Sequence, residues 1–192
     1  MLTGVKILVT AALGVGLGLA ATNAAVQDGL SFDSVHAGPW SSSAAAGSSK
    51  ADPYVKAALA REAAIPLGLA EGLSFIASHD SSAQRLSGRC VYVVRGAVPP
   101  ARYWTISVLT LHGRPIGNAA ERYGFTSAEI VRSENGAFRV VISREARPGN
   151  WLPIGTKGPF LLMFRLYDTP VTSTVSTLDA HSMPSVTRTG CG

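Results

Sequence analysis

The segment from Ile7 to Gln27 constrains this chain most strongly, because it runs for 21 residues without a formal charge. That length is enough for a helix to cross about 30 Å of hydrocarbon. Lys6 precedes the segment and the next basic residue is Lys50. The positive-inside rule therefore predicts a single-pass membrane protein with its amino terminus in the cytoplasm and everything after Asp28 outside.

A cleaved signal peptide is the alternative interpretation of this segment. Its apolar part, Ile7 to Ala21, is near the upper length of such regions, and Thr22-Asn23-Ala24 offers small residues for cleavage. We favour a retained anchor because of the length, and both interpretations export the domain. Residues 1–28 are assigned to a transmembrane anchor or uncleaved signal, residues 29–51 to a linker and residues 52–192 to a β-sandwich domain.

The linker assignment rests on the Ser/Ala/Gly-rich composition of residues 41–50, which offers little apolar surface to bury. After it, Asp52 and Pro53 are typical of a helix start, and Pro66 should end that helix. A second, short helical turn is predicted from Asn118 to Gly124.

Strand-like runs rich in Val, Ile, Phe, Tyr and Trp follow from Gly72 onwards. They read GLSFIAS, RCVYVVRG, RYWTISVLTL, FRVVIS and PFLLMFRLY. The last is apolar on both faces and should be a central strand, and Glu134-Asn135-Gly136 is typical of a hairpin turn. The sequence predicts a mainly β fold, a jelly-roll-like β-sandwich with one or two short helices, preceded by a single transmembrane helix.

The two cysteines, Cys90 and Cys191, are predicted to form a disulfide. An exported domain lies in an oxidising compartment, and neither residue belongs to a CxxC pair. The carboxy-terminal segment VTRTGCG has little apolar surface with which to pack on the domain, so a covalent bond is expected to hold it there.

Several function classes lack their sequence signals. The formal charge is +5, yet the arginines are scattered and form no basic run of the kind that follows nucleic acid. We find no GxSxG elbow, no Walker-type loop and no spacing of histidines typical of zinc, so no cofactor and no metal are predicted. His79-Asp80-Ser81 is interpreted as a turn rather than as part of a catalytic triad.

Arg165 stands out because it lies within the most apolar strand, where a charge must pair, snorkel or bind something. A structural ion pair, with Glu71 as the suggested partner, is favoured over a ligand role. The aromatic residues Tyr92, Tyr103, Trp104, Trp151 and Tyr167 are assigned to the core in preference to a pocket. The residues Arg102, Trp104, Trp151 and Arg165 form the candidate ligand or structural cluster.

The motifs GRCVYVVRG, PPARYWTISV, GNWLP and GPFLLMFRLY occur in the order and spacing of the bacterial family called domain of unknown function 1214. AGPW at Ala37–Trp40 and DPYVKAALAR at Asp52–Arg61 resemble its small, membrane-anchored form. The turn after the YWTISV-like strand is commonly acidic in that family, whereas this chain has His112-Gly113-Arg114. The resemblance implies a jelly-roll-like sandwich, with no established activity. The resemblance also implies that larger relatives contain a second sandwich, called domain of unknown function 1254, which is stacked on the first.

Our leading hypothesis is a membrane-tethered binding or assembly module of the bacterial envelope, anchored by one pass in the inner membrane with its carboxy-terminal domain in the periplasm. We expect a companion sandwich domain as its partner and no role for nucleic acid. The rival is an envelope-associated, hydrolase-like enzyme for a carbohydrate-like or small substrate. Its cleft would lie around Arg102, Trp104, Trp151 and Arg165. A pocket with convergent titratable groups would favour the enzyme.

Overall fold

Ten strands and two α-helices make up the fold in a computed structural model, which describes residues 2–27, 34–43, 45–62, 66–68, 70–174, 177–179 and 181–192. The helices are α1 (Leu2–Gln27) and α2 (Pro53–Glu62). The strands are β1 (Ser34–Ala37), β2 (Trp40–Ser43), β3 (Gly72–Ala77), β4 (Cys90–Arg95), β5 (Tyr103–Leu109), β6 (Gly124–Thr126), β7 (Arg139–Ser143), β8 (Asn150–Pro153), β9 (Leu161–Tyr167) and β10 (Ser185–Cys191).

The strands form two sheets that face each other across one apolar core. The six-stranded sheet has the order β1-β2-β3-β9-β5-β6, and the four-stranded sheet has the order β10-β4-β7-β8. Strands β7 and β8 run parallel, and the other neighbours run antiparallel. The fold is thus the predicted mainly β sandwich.

The alternation of side chains along each strand decides which residues enter the core. In β5, Trp104, Ile106 and Val108 are buried, as the sequence predicted, while the residues between them are partly exposed. In β9, Leu162, Phe164 and Leu166 point inward in the same way. They join one cluster with residues of the four-stranded sheet such as Tyr92, Val94, Val140, Ile142 and Leu152. Burial of these faces drives the pairing of the two sheets.

Strand β9 is the central strand that its apolar sequence predicted. It pairs with β5 over its whole length and, on its other side, with β3 from Leu162 to Tyr167. Its odd-numbered residues, among them Met163, Arg165 and Tyr167, are half-buried on the outer face of the six-stranded sheet. The charge of Arg165 is therefore directed away from the apolar core.

The last strand, β10, closes the four-stranded sheet by pairing with β4. Cys191 lies opposite Cys90 in that ladder, and the predicted disulfide is formed, with a Cα–Cα distance of 3.9 Å. A second interaction comes from the turn after β3, where the carboxylate of Asp80 forms an ion pair with Arg188 at 3.1 Å. The carboxy-terminal segment is thus held both covalently and electrostatically.

A hairpin occupies part of the segment that the sequence suggested as a linker. Strands β1 and β2 pair with each other, and β2 reaches β3 through the Ser41–Ile76 pair. Trp40 is fully buried, its Nε1 donates to the carbonyl of Pro184 at 2.6 Å, and its ring meets that of Phe164 edge-on. The assignment of residues 29–51 to a linker is therefore wrong for Ser34–Ser43. Residues 29–33 and 44 of the assigned linker, and residue 28 of the assigned anchor, lie outside the described residues.

The helices differ in part from the prediction. Asp52 caps α2 as expected, since its Oδ1 accepts from the backbone N–H groups of Tyr54 and Val55. Residues 63–65 of the predicted helix lie outside the described residues. Asn118 to Gly124 is not helical, because the side chain of Asn118 bonds to the backbone of Ile116 and Arg122 and holds a loop instead.

A 3₁₀ helix and a tight turn connect strands elsewhere in the fold. A 3₁₀ helix at Pro170–Ser173 was not predicted. Thr169 caps it, because the Thr169 hydroxyl accepts from the N–H of Val171. The predicted hairpin turn at Glu134-Asn135-Gly136 is formed, with Gly136 at φ 77° and an isolated bridge between Arg132 and Phe138.

Helix α1 contains the apolar segment that opened the sequence. Its stretch from Thr3 to Ala25 has a mean hydropathy of 1.8 and is not buried against the rest of the chain. It is long and apolar enough to cross a membrane, and a signal sequence meets the same criterion.

Candidate functional site

The four residues of the predicted cluster lie in different parts of the fold. Trp104 faces the core, Arg165 faces outward from the same sheet, and Trp151 lies on the outer face of the other sheet. Arg102 is exposed where β5 begins, 3.6 Å from Asp168. The structure does not bring these side chains together, so the cluster proposed from sequence is wrong as a single site.

Trp104 is a core residue. Its ring stacks on Phe164 with centroids 5.0 Å apart and lies 5.1 Å from Phe138. Arg132 covers the ring from the rim of the sandwich at 5.8 Å. Tyr92 is also buried, so the expected core role holds for these two aromatic residues.

Trp151 is half-buried and has its polar group satisfied. It is the register partner of Val141 on β7, and its Nε1 donates to the carbonyl oxygen and the hydroxyl of Ser143, both at 3.1 Å. These contacts fix the ring against the outer face of the four-stranded sheet.

The remaining aromatic residues, Tyr103 and Tyr167, are cross-strand partners on the outer face of the six-stranded sheet. Their ring centroids are 6.0 Å apart. The next row on this face contains Arg165, flanked by its register partners Ser74 on β3 and Thr105 on β5. Ile76 follows along β3 and is 38% exposed.

We call this surface the outer-face patch and define it by six residues. They are Ser74, Ile76, Tyr103, Thr105, Arg165 and Tyr167. Sequence reasoning named Arg165 and the two tyrosines but missed the hydroxyl residues and Ile76. The alternation of GLSFIA contains the signal, since burial of Leu73 and Phe75 sends Ser74 and Ile76 to the outer face.

Arg165 does not form the ion pair with Glu71 that the sequence suggested. The Glu71 carboxylate instead accepts from the N–H of Gly68 at 3.1 Å, which closes the turn before β3. Among the described residues, the carboxylates that form ion pairs do so with Arg102, Arg147 and Arg188. The predicted structural pair is therefore wrong.

A groove of about 410 Å³ lies beside the disulfide, on the outer face of the four-stranded sheet. Arg89, Arg144 and Arg147 line it together with Glu145, which lies 3.5 Å from Arg147. These side chains are exposed, and charges of this kind are hydrated at little cost. The groove carries positive charge but shows no buried polar group in need of a partner.

Two carboxylates have perturbed pKa values, and both close surface turns. The pKa of Glu129 is lowered by its hydrogen bonds from the hydroxyl and the N–H of Thr126. The pKa of Asp179 is lowered by the hydroxyl of Ser182 and the N–H groups of His181 and Ser182. These shifts belong to turn geometry rather than to a reaction centre.

His79, Asp80 and Ser81 form the predicted turn. Asp80 is 3% exposed, and its Oδ1 accepts from the N–H groups of Ser82 and Gln84 at 3.0 and 2.9 Å. His79 is exposed, and its ring is 2.9 Å from the hydroxyl of Ser78. The carboxylate is committed to the turn and to Arg188, so it does not orient the histidine. Among the described residues, no group of three or more His, Cys, Asp and Glu side chains is placed to hold a metal ion.

The family described as "Protein of unknown function (DUF1214)" matches residues 71–171, more than half of the chain. The chain belongs to this family. The DUF1214 match covers β3 to β9 and extends into the 3₁₀ helix, so it includes all six residues of the outer-face patch. None of the curated proteins compared with the chain matches it.

Solved structures with the same fold include the VPA0106 protein from Vibrio parahaemolyticus, with a TM-score of 0.58 and 19% identity over 73% of this chain. A putative uncharacterized protein from Burkholderia cenocepacia matches with a TM-score of 0.40 and 18% identity over 63% of this chain. This chain spans 36% and 30% of the lengths of those proteins. The likeness to VPA0106 supports the sandwich fold of this DUF1214 chain.

Proposed function

We propose that this protein is a membrane-tethered, extracytoplasmic binding module whose outer-face patch docks a companion β-sandwich domain. The observation that carries the proposal is the patch itself. It combines exposed apolar and aromatic side chains, Ile76 and Tyr103 at 38% and 37% exposure, with a central arginine that has no ion-pair partner among the described residues. Aromatic and arginine side chains are enriched in the centres of protein interfaces.

The location in the proposal is supported by two features. Helix α1 is long and apolar enough to cross a membrane, and the Cys90–Cys191 disulfide fits a domain outside the cytoplasm. We propose that α1 stays in the inner membrane and that the sandwich lies in the periplasm.

The choice of a second sandwich as the occupant rests on size and surface shape. VPA0106 shares the fold and continues well beyond the part that matches this chain. The outer face of a six-stranded sheet is broad enough for another sheet to pack against it. The hydrolase-like alternative stays a prediction, and the separation of Arg102, Trp104, Trp151 and Arg165 removes the cleft on which it was based.

Site-specific photocrosslinking in the native host tests the proposal. A photoreactive phenylalanine analogue placed at Ile76 or at Tyr103 should crosslink to one protein of defined mass. The same analogue at Val131 is the control, because Val131 is 71% exposed but lies next to Asn150 of the four-stranded sheet. Mass spectrometry of the adduct should identify a sandwich domain.

Absence of a crosslink from both patch positions, or equal crosslinking from Val131, would overturn the docking surface. The anchor is tested separately by the mass of the membrane-extracted protein. A mature chain beginning near Ala25 that salt removes from membranes would overturn retention of α1.

A further inference from the structure

We infer that the outer-face patch is a carboxylate-binding site, in which Arg165 receives an acidic side chain of the docked partner. The inference rests on the proposed function and specifies its chemistry. It begins with the position of Arg165 in the middle of the patch. Ser74 and Thr105 are its register partners on the two neighbouring strands, so a guanidinium lies between two hydroxyl groups on one row of the sheet.

Two polar atoms in this row are buried and lack a hydrogen-bond partner. They are the Nε of Arg165 and the Oγ of Ser74. Buried donors of this kind are normally satisfied, because a lost hydrogen bond to water is costly when nothing replaces it. Both atoms are donors in the same row, and a small turn of the two side chains towards the surface would let a bound oxyanion accept from the guanidinium and from the hydroxyl.

Comparison with other arginines of the chain makes Arg165 unusual. Arg188 also has a buried Nε without a partner, but its terminal nitrogens contact Asp80, Gln84 and the carbonyl of Arg85. Arg102 is paired with Asp168 in solvent. The guanidinium of Arg165 has neither solvent around its Nε nor a carboxylate within 4.0 Å among the described residues.

Two acidic groups at the margins of the patch are already engaged. Asp168 follows Tyr167 and pairs with Arg102. Glu129 is held at the far edge of the sheet by Thr126, the register partner of Thr105, and the nearby positive charge that lowers its pKa is Arg122. Neither carboxylate neutralises Arg165, so the positive charge of the row is available to a ligand.

The surroundings favour a carboxylate carried by a protein over a free inorganic ion. A guanidinium binds a planar carboxylate through two parallel hydrogen bonds, a geometry that suits Asp and Glu side chains. The paired rings of Tyr103 and Tyr167 flank the row on one side, and Met163 and Ile76 flank it on the other. When a partner covers these apolar groups it also excludes water, which strengthens the ion pair at the centre.

A titration of the full-length chain in detergent micelles tests the site, with acetate as the probe. The Nε–H signal of Arg165 is followed by ¹⁵N NMR and assigned by its loss in Arg165→Lys. We expect a saturable shift of this signal with acetate and none with acetamide, which has the same shape without the charge. The Nε–H signal of Arg102 is the internal control and should move little, because Arg102 is exposed and already paired.

Variants separate a binding role from a structural one. Arg165→Met should keep the melting midpoint or raise it, since it removes a half-buried charge that has no partner, and it should abolish crosslinking at Ile76. Ser74→Ala should weaken the acetate response several-fold while the fold is retained. A fall in the melting midpoint of Arg165→Met would instead assign Arg165 a structural role and overturn the inference.

The two experiments distinguish failure of the inference from failure of the proposed function. Saturable acetate binding without crosslinks at Ile76 or Tyr103 would keep the carboxylate site and overturn the docked protein. Crosslinks without a saturable shift at Arg165, or with an equal shift at Arg102, would keep the docking surface and overturn the carboxylate site. A stronger response to inorganic phosphate than to acetate would also overturn the assignment to Asp or Glu.

Discussion

Replacing Asp80 by Ala should destabilise the sandwich more than any other single change in the turn between β3 and β4. The carboxylate is 3% exposed and accepts hydrogen bonds from the N–H groups of Ser82 and Gln84, and it pairs with Arg188 at 3.1 Å. Hydrogen bonds to a charged group each contribute about 1.5–3 kcal/mol, and breaking a buried ion pair costs about 3–5 kcal/mol.

The hydrogen-bond and ion-pair contributions of Asp80 overlap, and part of the stability lost in Asp80→Ala is recovered by new contacts. The N–H groups of Ser82 and Gln84 belong to exposed residues and regain water, and Arg188 keeps its contact with Gln84 Oε1 at 2.7 Å. We therefore expect Asp80→Ala to lower the free energy of unfolding by about 3–5 kcal/mol. Asp80→Asn retains the acceptor for both N–H groups and loses the charge, so we expect a loss of about 1–3 kcal/mol.

Thermal unfolding of the full-length chain in detergent, with the disulfide intact, measures these differences. A loss of 3–5 kcal/mol corresponds to a fall in Tm of roughly 6–20 °C for a chain of this size. Asp179→Ala is the matched control, because the Asp179 carboxylate also accepts two backbone N–H groups but lies in solvent. If Asp80→Ala lowered Tm no more than Asp179→Ala, the buried network around Arg188 would not have the role assigned to it here.

Three further changes test other parts of the fold. Cys191→Ser opens a covalent loop with a sequence separation of 101 and should lower the free energy of unfolding by up to about 4–5 kcal/mol. Amide hydrogen exchange should become faster in β10 alone. Faster exchange throughout the sandwich, or an unchanged Tm, would contradict this. Trp40→Phe removes the donor to the Pro184 carbonyl and should lower the free energy of unfolding by about 1–3 kcal/mol. Trp151→Phe is the control and should lower it less. Equal losses would contradict the burial of the β1–β2 hairpin. Hydrogen bonds from Thr126 hold the folded-state pKa of Glu129 below the ordinary glutamate value of 4.5, so the stabilising effect of the carboxylate is present above pH 4.5 and is lost as the pH falls through the folded-state pKa. Glu129→Gln should therefore lower Tm at pH 7 and lower it less at pH 3, and the same difference at both pH values would refute that reasoning.

Strands β3, β4, β5, β7 and β9 were predictable from sequence because their apolar or alternating residues indicate burial directly, whereas the short strands β6 and β8 and the Thr-rich strand β10 were not predicted. In RYWTISVLTL, Trp104, Ile106 and Val108 repeat every second residue, and the structure buries them. The absence of polar positions in PFLLMFRLY apart from Arg165 predicted a central strand, and β9 lies between β3 and β5. The cysteines reported a long-range pairing, since residues 90 and 191 are opposite each other in the β4–β10 ladder.

The first hairpin was missed because its order comes from a partner far away in sequence. Serine-rich segments have little tendency to form strands by themselves. Strand β2 is held by Trp40, which fills a space in the core and bonds to Pro184, 144 residues along the chain. Local composition contains no information about that contact.

The candidate site was placed wrongly because neighbours in sequence face opposite sides of a sheet. Trp104 and Thr105 are adjacent, yet Trp104 enters the core while Thr105 lies beside Arg165 on the outer face. A count of odd and even positions along β3, β5 and β9 assigns Ser74, Thr105 and Arg165 to one surface once the register is known. The register between strands that are distant in sequence is the part that the sequence alone did not supply.

The position of β9 at the centre of its sheet also has a consequence for biogenesis. Strands β3 and β5 each pair with β9 along their whole length, but they leave the ribosome or a translocation channel many residues before it. During that interval both strands present unpaired backbone edges beside apolar side chains such as Phe75 and Ile106, which favour aggregation. Slow emergence of residues 161–167 should therefore favour aggregation of the nascent chain, and shielding of β3 and β5 until β9 arrives should oppose it.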